Sequence, residues 1–416
     1  MKNKNLCVAP WNQVYINAEG YFFHCCMAEP NSSPIRHNGQ VLHVSTIADF
    51  SEVLNSSDSL AIKKEMLAGI APSACQKCTE KDRLGPHSYK NYLNAKYPET
   101  YQKITEETDD ILEFSKVEFV DVRPGNNCNL KCRMCYPVSS KLWIDEWVEL
   151  FPDSLPKERI LELRNIQWQN NPLFWKMLEK NIDSIHTLHF AGGEPLYINE
   201  INQFLRSPAI LKEASRIELS YNTNLTSLSA EHLQIWKKYK GVRLMISIDG
   251  TDQVNSYIRY PSKWKNIQEN LEALQKASEL VNFIQPTIVV TTQILNVHNH
   301  IELMEYIIQA NNQVLGQRIK FNLLTDPDCY SLQALPAEMK KKYYELFVDY
   351  ALKLKELKLY SAANEFLSIA NFMMEKDLSH HFPEALRRIA ILDKSRSQSI
   401  KDISFEIYQY MQEKAF

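Results

Sequence analysis

The 416-residue chain has little glycine, no marked surplus of either charge and no long apolar run. Its ten glycines are well below the usual share of about 7%. A net charge of −3 gives no reason to expect nucleic-acid binding, which usually needs a basic surplus. No apolar stretch approaches the roughly 20 residues that span a bilayer, and the first ten residues lack the apolar segment of a signal peptide. We therefore expect a cytoplasmic protein with neither nucleic-acid nor membrane partners.

Cysteine, by contrast, is present and unevenly placed. Of the nine cysteines, all but Cys329 lie in the first third of the chain. In a reducing compartment, clustered cysteines at short spacings bind metal more often than they form disulfides. Six of the ten glycines lie in or beside the motifs described below, which is consistent with turns and close backbone approaches there.

Short β-branched runs alternate with amphipathic helical segments from residue 116 onward. The runs that predict strands are 117–122, 185–190, 217–221, 242–248, 287–292 and 319–324. Six strands, each followed by a helix, predict a parallel α/β sheet, and six is short of the closed TIM barrel's eight. The predicted fold class is α/β: a partial (βα)6 TIM-like barrel with a small Cys-rich N-terminal domain and a helical C-terminal segment.

Four regions are predicted along the chain. Residues 1–80 carry the first cysteines and include an alternating stretch around Glu19-Gly20 that predicts a β-hairpin. Residues 81–112 are polar and helical in character, and we interpret them as a connector. Residues 113–330 form the predicted barrel, and residues 331–416 show helical patterns without a strand signal.

The sharpest motif is Cys128-Asn-Leu-Lys-Cys132-Arg-Met-Cys135, which follows the first predicted barrel strand. Three thiolates on one short loop can hold three irons of a [4Fe–4S] cube. The fourth iron is then open to S-adenosylmethionine (SAM), which can bind it through its amino and carboxylate groups. A structural zinc site is the alternative, but zinc usually takes four ligands, with pairs about 12–20 residues apart. Cys75 and Cys78 lie much farther away than that.

With this loop in this place, the chain resembles the radical SAM superfamily. Ala191-Gly-Gly-Glu-Pro195, after the second predicted strand, is similar to the family's glycine-rich SAM-binding segment, and polar strand ends follow in the family's order. The positions to which the resemblance assigns SAM binding are Gly192, Gly193, Glu194, Asn222, Ser247, Asp249, Arg259, Met134 and Tyr136.

Each of these assignments has a physical reason and a plainer alternative. Glycines let a ligand meet bare backbone, Glu194 offers a carboxylate acceptor, and the Arg259 guanidinium suits the SAM carboxylate. The alternatives are a simple turn, a polar strand end or a surface salt bridge. Met134 stands where the superfamily usually has an aromatic residue against adenine, and Tyr136 follows two residues later.

The N-terminal cysteines resemble the SPASM and twitch accessory domains of the superfamily. Cys7, Gly20 and Cys25 are similar to the opening pattern, and Cys75-Gln-Lys-Cys78 to the closing pair. The resemblance implies that these four cysteines hold a second [4Fe–4S] cluster, with Cys26 as a bystander or substitute ligand. A four-cysteine zinc site is the alternative. In most relatives this domain follows the barrel, and the cysteine count here supports one auxiliary cluster.

The resemblance implies a radical SAM oxidoreductase that cleaves SAM reductively and abstracts hydrogen from a substrate C–H, in an oxidative modification of a peptide side chain. The alternatives are dehydrogenation of a small alcohol or sugar and, in another class, a non-catalytic iron–sulfur electron carrier or metal-organised scaffold. The implied partners are a peptide or small-molecule substrate and an electron donor such as flavodoxin or ferredoxin. No catalytic side chain is assigned. The segment from Leu392 to Ser399 is similar to a terminal segment of twitch proteins.

Overall fold

The structure is a computed structural model that describes residues 3–29, 32–84, 88–106, 111–112, 116–310 and 316–413. Its strands are β1 (Gln13–Ile16), β2 (Phe22–Phe23), β3 (Arg36–His37), β4 (Gln40–Val41), β5 (Phe119–Val122), β6 (Thr187–Phe190), β7 (Glu218–Thr223), β8 (Gly241–Ser247), β9 (Thr287–Thr292) and β10 (Ile319–Leu323). Its helices are α1 (Ala9–Asn12), α2 (Ser51–Leu54), α3 (Ser57–Leu67), α4 (Gln76–Leu84), α5 (Tyr89–Lys96), α6 (Pro98–Glu106), α7 (Trp143–Leu150), α8 (Lys157–Arg164), α9 (Pro172–Lys180), α10 (Asn199–Leu205), α11 (Pro208–Glu213), α12 (Ala230–Trp236), α13 (Asp252–Ile258), α14 (Trp264–Ala277), α15 (His300–Ala310), α16 (Ala337–Glu356), α17 (Tyr360–Glu375), α18 (Phe382–Arg396) and α19 (Phe405–Glu413).

Two compact units make up the chain. The first comprises Met1–Cys128, Pro156–Tyr221 and Gln234–Val242, and the second comprises Asn129–Leu155, Asn222–Leu233 and Arg243–Phe416. The predicted domain boundaries near residues 80, 112 and 330 divide the chain by sequence pattern rather than by spatial compactness, and they stay a prediction.

In the first unit, the N-terminal hairpin extends the sheet of parallel strands. Strands β1 and β2 pair antiparallel, with Tyr15 opposite Phe23, and Gly20 lies in the turn between them at φ +90°. On its other side, β1 pairs in parallel with β5, β5 with β6 and β6 with β7. All four residues of β5 are buried, as expected for a parallel strand that is covered on both faces.

In the second unit, β8, β9 and β10 pair in parallel. Helix α14 buries Trp264, Ile267, Leu271 and Leu274, which recur at spacings of three and four as one face of a helix requires. The C-terminal helices α16, α17, α18 and α19 follow β10 without a further strand among the described residues.

The predicted fold class is confirmed. The six predicted parallel strands correspond to β5–β10, with ends that differ by two residues or fewer. Helices alternate with these strands and also form the C-terminal segment, as the α/β partial-barrel prediction requires. Among the described helices, none combines the length and the apolar character needed to cross a bilayer.

Candidate active site

The loop that follows β5, residues 128–135, carries Cys128, Cys132 and Cys135 and is called the core loop. Cys132 is buried, and the backbone N–H of Cys135 donates to its carbonyl at 3.0 Å. A side-chain hydrogen bond with Cys135 lowers the pKa of Cys132 in spite of its burial, and the nearby Arg259 guanidinium acts in the same direction. These surroundings suit an iron ligand, because the thiolate is the form that binds metal.

Within the first unit, the glycine pair after β6 lies against the residue that precedes Cys128. The N–H of Glu194 donates to the carbonyl oxygen of Asn127 at 2.9 Å. Gly192 and Gly193 have φ of +71° and +54°, a region in which residues with a side chain are strained. A Cβ on Gly193 would lie 2.2 Å from the Asn127 oxygen. The segment is therefore closely fitted to the start of the core loop.

Replacing Gly193 with alanine is expected to reduce the free energy of unfolding by roughly 2–5 kcal/mol, because it combines backbone strain with overpacking. The measurement is chemical denaturation followed by circular dichroism. Gly39→Ala is the matched control, since Gly39 also has a positive φ (+83°) but a Cβ added there would have no atom within 4 Å. Equal destabilisation of the two variants would show that the contact with Asn127 contributes nothing.

Glu194 itself is almost fully buried, with 1% of its surface exposed. One of its carboxylate oxygens accepts the Leu196 N–H at 3.1 Å and so caps the short helical turn that follows. The carboxylate therefore has a local structural partner in addition to its predicted role toward SAM.

In the second unit, Asn222 and Ser247 lie in the last residues of β7 and β8, and Asp249 and Arg259 follow β8. The C-terminal strand ends are where active sites lie in barrels of this class. Asn222 is exposed and Ser247 is half-buried. Asp249 is fully buried and forms an ion pair with Arg259, with Nε 2.8 Å from Oδ2. Asp249 also accepts the Thr291 N–H at 2.7 Å. Burial raises the pKa of Asp249, and the Arg259 guanidinium opposes that rise.

The predicted adenine contacts differ in their surroundings. Met134 is buried. Tyr136 is half-buried, packs on Trp147 with ring centroids 5.5 Å apart, and donates its hydroxyl to Asp326 Oδ1 at 2.9 Å. Asp326 is exposed on the loop that follows β10, whereas Tyr330 of the same loop is fully buried. Both SAM-binding assignments stay predictions.

Four cysteines of the first unit line one cavity, which we call the cysteine cavity; they are Cys7, Cys25, Cys75 and Cys78. Burial raises the pKa of Cys7 to about 12, and the neighbouring Cys75 and Cys78 add to the rise. Burial also raises the pKa of Cys75 to about 11, with a further contribution from Cys78. Buried thiols that repel one another as thiolates require a positive metal group to hold them in that form. The donor set therefore fits an iron–sulfur cluster.

The adjacent Cys26 faces different neighbours. It is absent from the lining of the cysteine cavity. Burial raises its pKa, and Asp121 is the largest charged contribution, with Arg123 and Tyr89 also close. The charges that act on Cys25 are instead those of the other three cavity thiols. The geometry thus favours Cys25 over Cys26 as the fourth ligand.

The cavity thiols surround a space rather than converge on a point. Within the described residues, no three or more His, Cys, Asp or Glu side chains are placed to share a single metal ion.

Two family models match the chain, one over the region that contains the core loop and one over the region that contains the four cysteines of the cysteine cavity. The radical SAM superfamily model matches residues 122–292. A model of the iron–sulfur cluster-binding domain named SPASM matches residues 7–79. The chain contains a radical SAM domain preceded by a SPASM domain. The predicted resemblance to the radical SAM superfamily and its SPASM accessory domain is thereby confirmed, and so are the cofactors. The radical SAM domain uses a [4Fe–4S] cluster and SAM, and the SPASM domain binds an auxiliary iron–sulfur cluster.

The individual proteins that the chain resembles are distant from it. GTP 3′,8-cyclase of Aliarcobacter butzleri (strain RM4018) is 25% identical over 168 residues, which cover 40% of this chain and 44% of the cyclase. The chain thus spans less than half of that relative. Native anSMEcpe with bound AdoMet is 14% identical at a TM-score of 0.37, covering 58% of this chain and 62% of that one. Streptococcus suis SuiB bound to SAM is 14% identical at a TM-score of 0.36, covering 76% and 66% respectively.

One side chain at the cysteine cavity had no signal in the sequence. Lys90 of α5 lines the cavity, with its side chain only 10% exposed and its Nζ 2.5 Å from Asp82 Oδ2. Its positive charge opposes the rise in the pKa of Cys7 and Cys75. Lys90 belongs to no motif, so only the fold brings it to these thiols.

Proposed function

We propose that this radical SAM enzyme oxidises its substrate, and that the peptide side chain is the substrate class. In this proposal the three cysteines of the core loop hold the SAM-cleaving cluster and the four of the cysteine cavity hold the auxiliary cluster. The four-thiol cavity is the observation that carries the oxidative assignment. Four thiolates saturate a [4Fe–4S] cluster, which leaves no open iron for substrate and suits it to electron transfer.

When bound, the SAM-cleaving cluster and SAM supply a 5′-deoxyadenosyl radical that takes hydrogen from a substrate C–H bond. The chain's part is to position these groups. The glycine pair after β6 allows close packing against Arg123 and Asn127, just before the core loop, and Arg259 offers a planar cation to a carboxylate. Arg259 is also close enough to Cys132 and Cys135 for their charges to affect its pKa.

The substrate side of the proposal rests on the SPASM match and on Tyr136 and Asp326. Tyr136 directly follows Cys135 in the chain and donates its hydroxyl to Asp326, which is exposed. A peptide can donate hydrogen bonds to such a pair from its N–H groups and basic side chains. A small alcohol or sugar would use the same pair through hydroxyl groups, and the product distinguishes the two.

The test is anaerobic reconstitution with iron and sulfide counted per chain, followed by dithionite and SAM, with 5′-deoxyadenosine measured by liquid chromatography. We expect about eight irons per chain, four for each cluster, and deoxyadenosine formation. A panel of synthetic peptides and small polyols then supplies the substrate. Oxidation yields a product lighter than its substrate by two hydrogens for each SAM cleaved.

Three results would contradict parts of this proposal. About four irons with full SAM cleavage would remove the auxiliary cluster and with it the case for oxidation. A product of unchanged mass would indicate a redox-neutral reaction. No SAM cleavage at full iron loading, with every substrate tested, would favour the electron-carrier alternative.

A further inference from the structure

The core loop is fixed on both sides of Cys132 by one backbone segment of the second unit. The N–H of Lys131 donates to the Tyr260 carbonyl at 2.7 Å, and the N–H of Arg133 donates to the Ile258 carbonyl at 2.8 Å. Arg259 lies between these two acceptors in the chain. The two hydrogen bonds therefore hold Cys132 and Arg259 in a fixed relation.

The side chain of Arg133 is anchored to the end of α18. Its guanidinium is fully buried, and Nη2 lies 2.6 Å from Asp393 Oδ1 and 3.0 Å from Gln398 Oε1. The group also stacks on the Tyr257 ring, 3.5 Å from the ring centroid. Asp393 accepts two further hydrogen bonds at 2.7 Å, from the Tyr257 hydroxyl and the Ile400 N–H. Asp393 is thus the carboxylate that neutralises a fully buried cation of the core loop.

The side chain of Lys131 reaches the same helix through Glu146. Its Nζ lies 2.6 Å from Glu146 Oε2, and Arg396 Nε lies 2.9 Å from Glu146 Oε1. The Arg396 side chain is 1% exposed, and its guanidinium lies over the rings of Trp143 and Tyr260, at 4.5 and 4.9 Å from their centroids. Asp393 and Arg396 are three residues apart, so they share one face of α18.

Apolar packing joins the same elements. Trp143, Trp147 and Leu392 form one buried cluster, and the side chains of Cys135 and Tyr136 pack against it. Helix α18 is therefore linked to the core loop directly by the Arg133–Asp393 ion pair, and indirectly through Glu146 and through the apolar cluster that contains Leu392.

We propose that Asp393 and Arg396 are positioning residues for the SAM-cleaving site, which they act on through Arg133, Lys131 and the segment that carries Arg259. The inference rests on the proposed assignment of the core-loop cysteines as cluster ligands. Outer-shell partners of metal ligands change metal affinity or activity by about 10- to 100-fold when they are replaced. Asp393 also supplies the negative charge beside the buried Arg133 cation, which adjoins Cys132 in the chain. Its loss makes the reduction potential of the nearby cluster more positive, because a more positive surrounding favours the electron-rich state.

The test is Asp393→Asn, which keeps the side-chain shape and removes the charge. We expect SAM to bind about tenfold more weakly by equilibrium binding, and iron of the SAM-cleaving cluster to reach a chelator about tenfold faster. The reduction potential of that cluster, measured by EPR-monitored titration, is expected to shift to a more positive value. The EPR signal of the auxiliary cluster is expected to stay unchanged. Asp393→Glu retains the charge and is expected to keep the wild-type potential.

Asp377→Asn is the matched control, because Asp377 neutralises another buried cation of the second unit, Lys340, at 3.1 Å. It is expected to leave SAM affinity, potential and iron release unchanged. Wild-type values for all three in Asp393→Asn would overturn the inference.

If Asp393→Asn does not fold, Arg133→Lys gives the answer. It keeps the buried charge and removes the planar fork. SAM is expected to bind more weakly than to the wild type, because part of the anchoring is lost. Unchanged binding in that variant would also overturn the inference. SAM cleavage that survives in Cys132→Ala would instead refute the ligand assignment beneath it, so the two failures are distinguishable.

Discussion

Replacing Cys132 with alanine is expected to abolish 5′-deoxyadenosine formation and to lower the iron content from about eight to about four per chain. Cys132 is buried at the centre of the core loop and shares a hydrogen bond with Cys135. A [4Fe–4S] cluster with two protein thiolates in place of three loses a covalent ligand at a site that water can barely reach. Iron analysis and chromatography of deoxyadenosine make the measurement.

Cys329→Ala is the control for this experiment. Cys329 is also a buried cysteine of the second unit, with 4% of its surface exposed, but it lies outside both cysteine groups. We expect this variant to keep its iron and to cleave SAM. Cleavage that persists in Cys132→Ala, or is lost equally in Cys329→Ala, would refute the assignment of Cys132 as a ligand.

The second large effect concerns two neighbouring cysteines. Cys25→Ala is expected to lose the auxiliary cluster, again about four irons per chain, because Cys25 lines the cysteine cavity with three other thiols. Cys26→Ala is expected to keep all its iron, since Cys26 is close to Asp121, Arg123 and Tyr89 instead. EPR spectroscopy of the reduced proteins reports which cluster is lost.

The pair of variants is its own matched control, because the two residues have the same chemistry and adjacent positions. Loss of iron in Cys26→Ala alone would make Cys26 the ligand and would require this turn to be rearranged around the cluster. Loss in neither variant would leave the cysteine cavity without its proposed fourth ligand. Deoxyadenosine formation without substrate is expected to continue in Cys25→Ala, because the core loop is unaltered.

Much of the fold was accessible from the sequence because its signals are local. The β-branched runs predicted β5–β10 to within two residues at each end, since a strand that is buried on both faces must be apolar along its length. The core loop was also predictable from the sequence, because its three cysteines lie within eight consecutive residues. No tertiary contact is needed to bring such ligands together. The pairing of β1 with β5 was not predicted, because hydrogen bonding between strands depends on neighbours far apart in the chain.

The sequence by itself determined the domain family and its cofactors, because the spacing of the core-loop cysteines and the order of the glycine-rich and polar segments are properties of the chain alone. The tertiary structure decided which side chains surround them. It distinguished Cys25 from Cys26, because adjacent residues differ only in the direction that the backbone gives their side chains. It also paired Arg133 with Asp393 across 260 positions. Ion pairs and shared cavities form between groups that are close in space, and the distance between two groups in space cannot be read from their separation in the sequence.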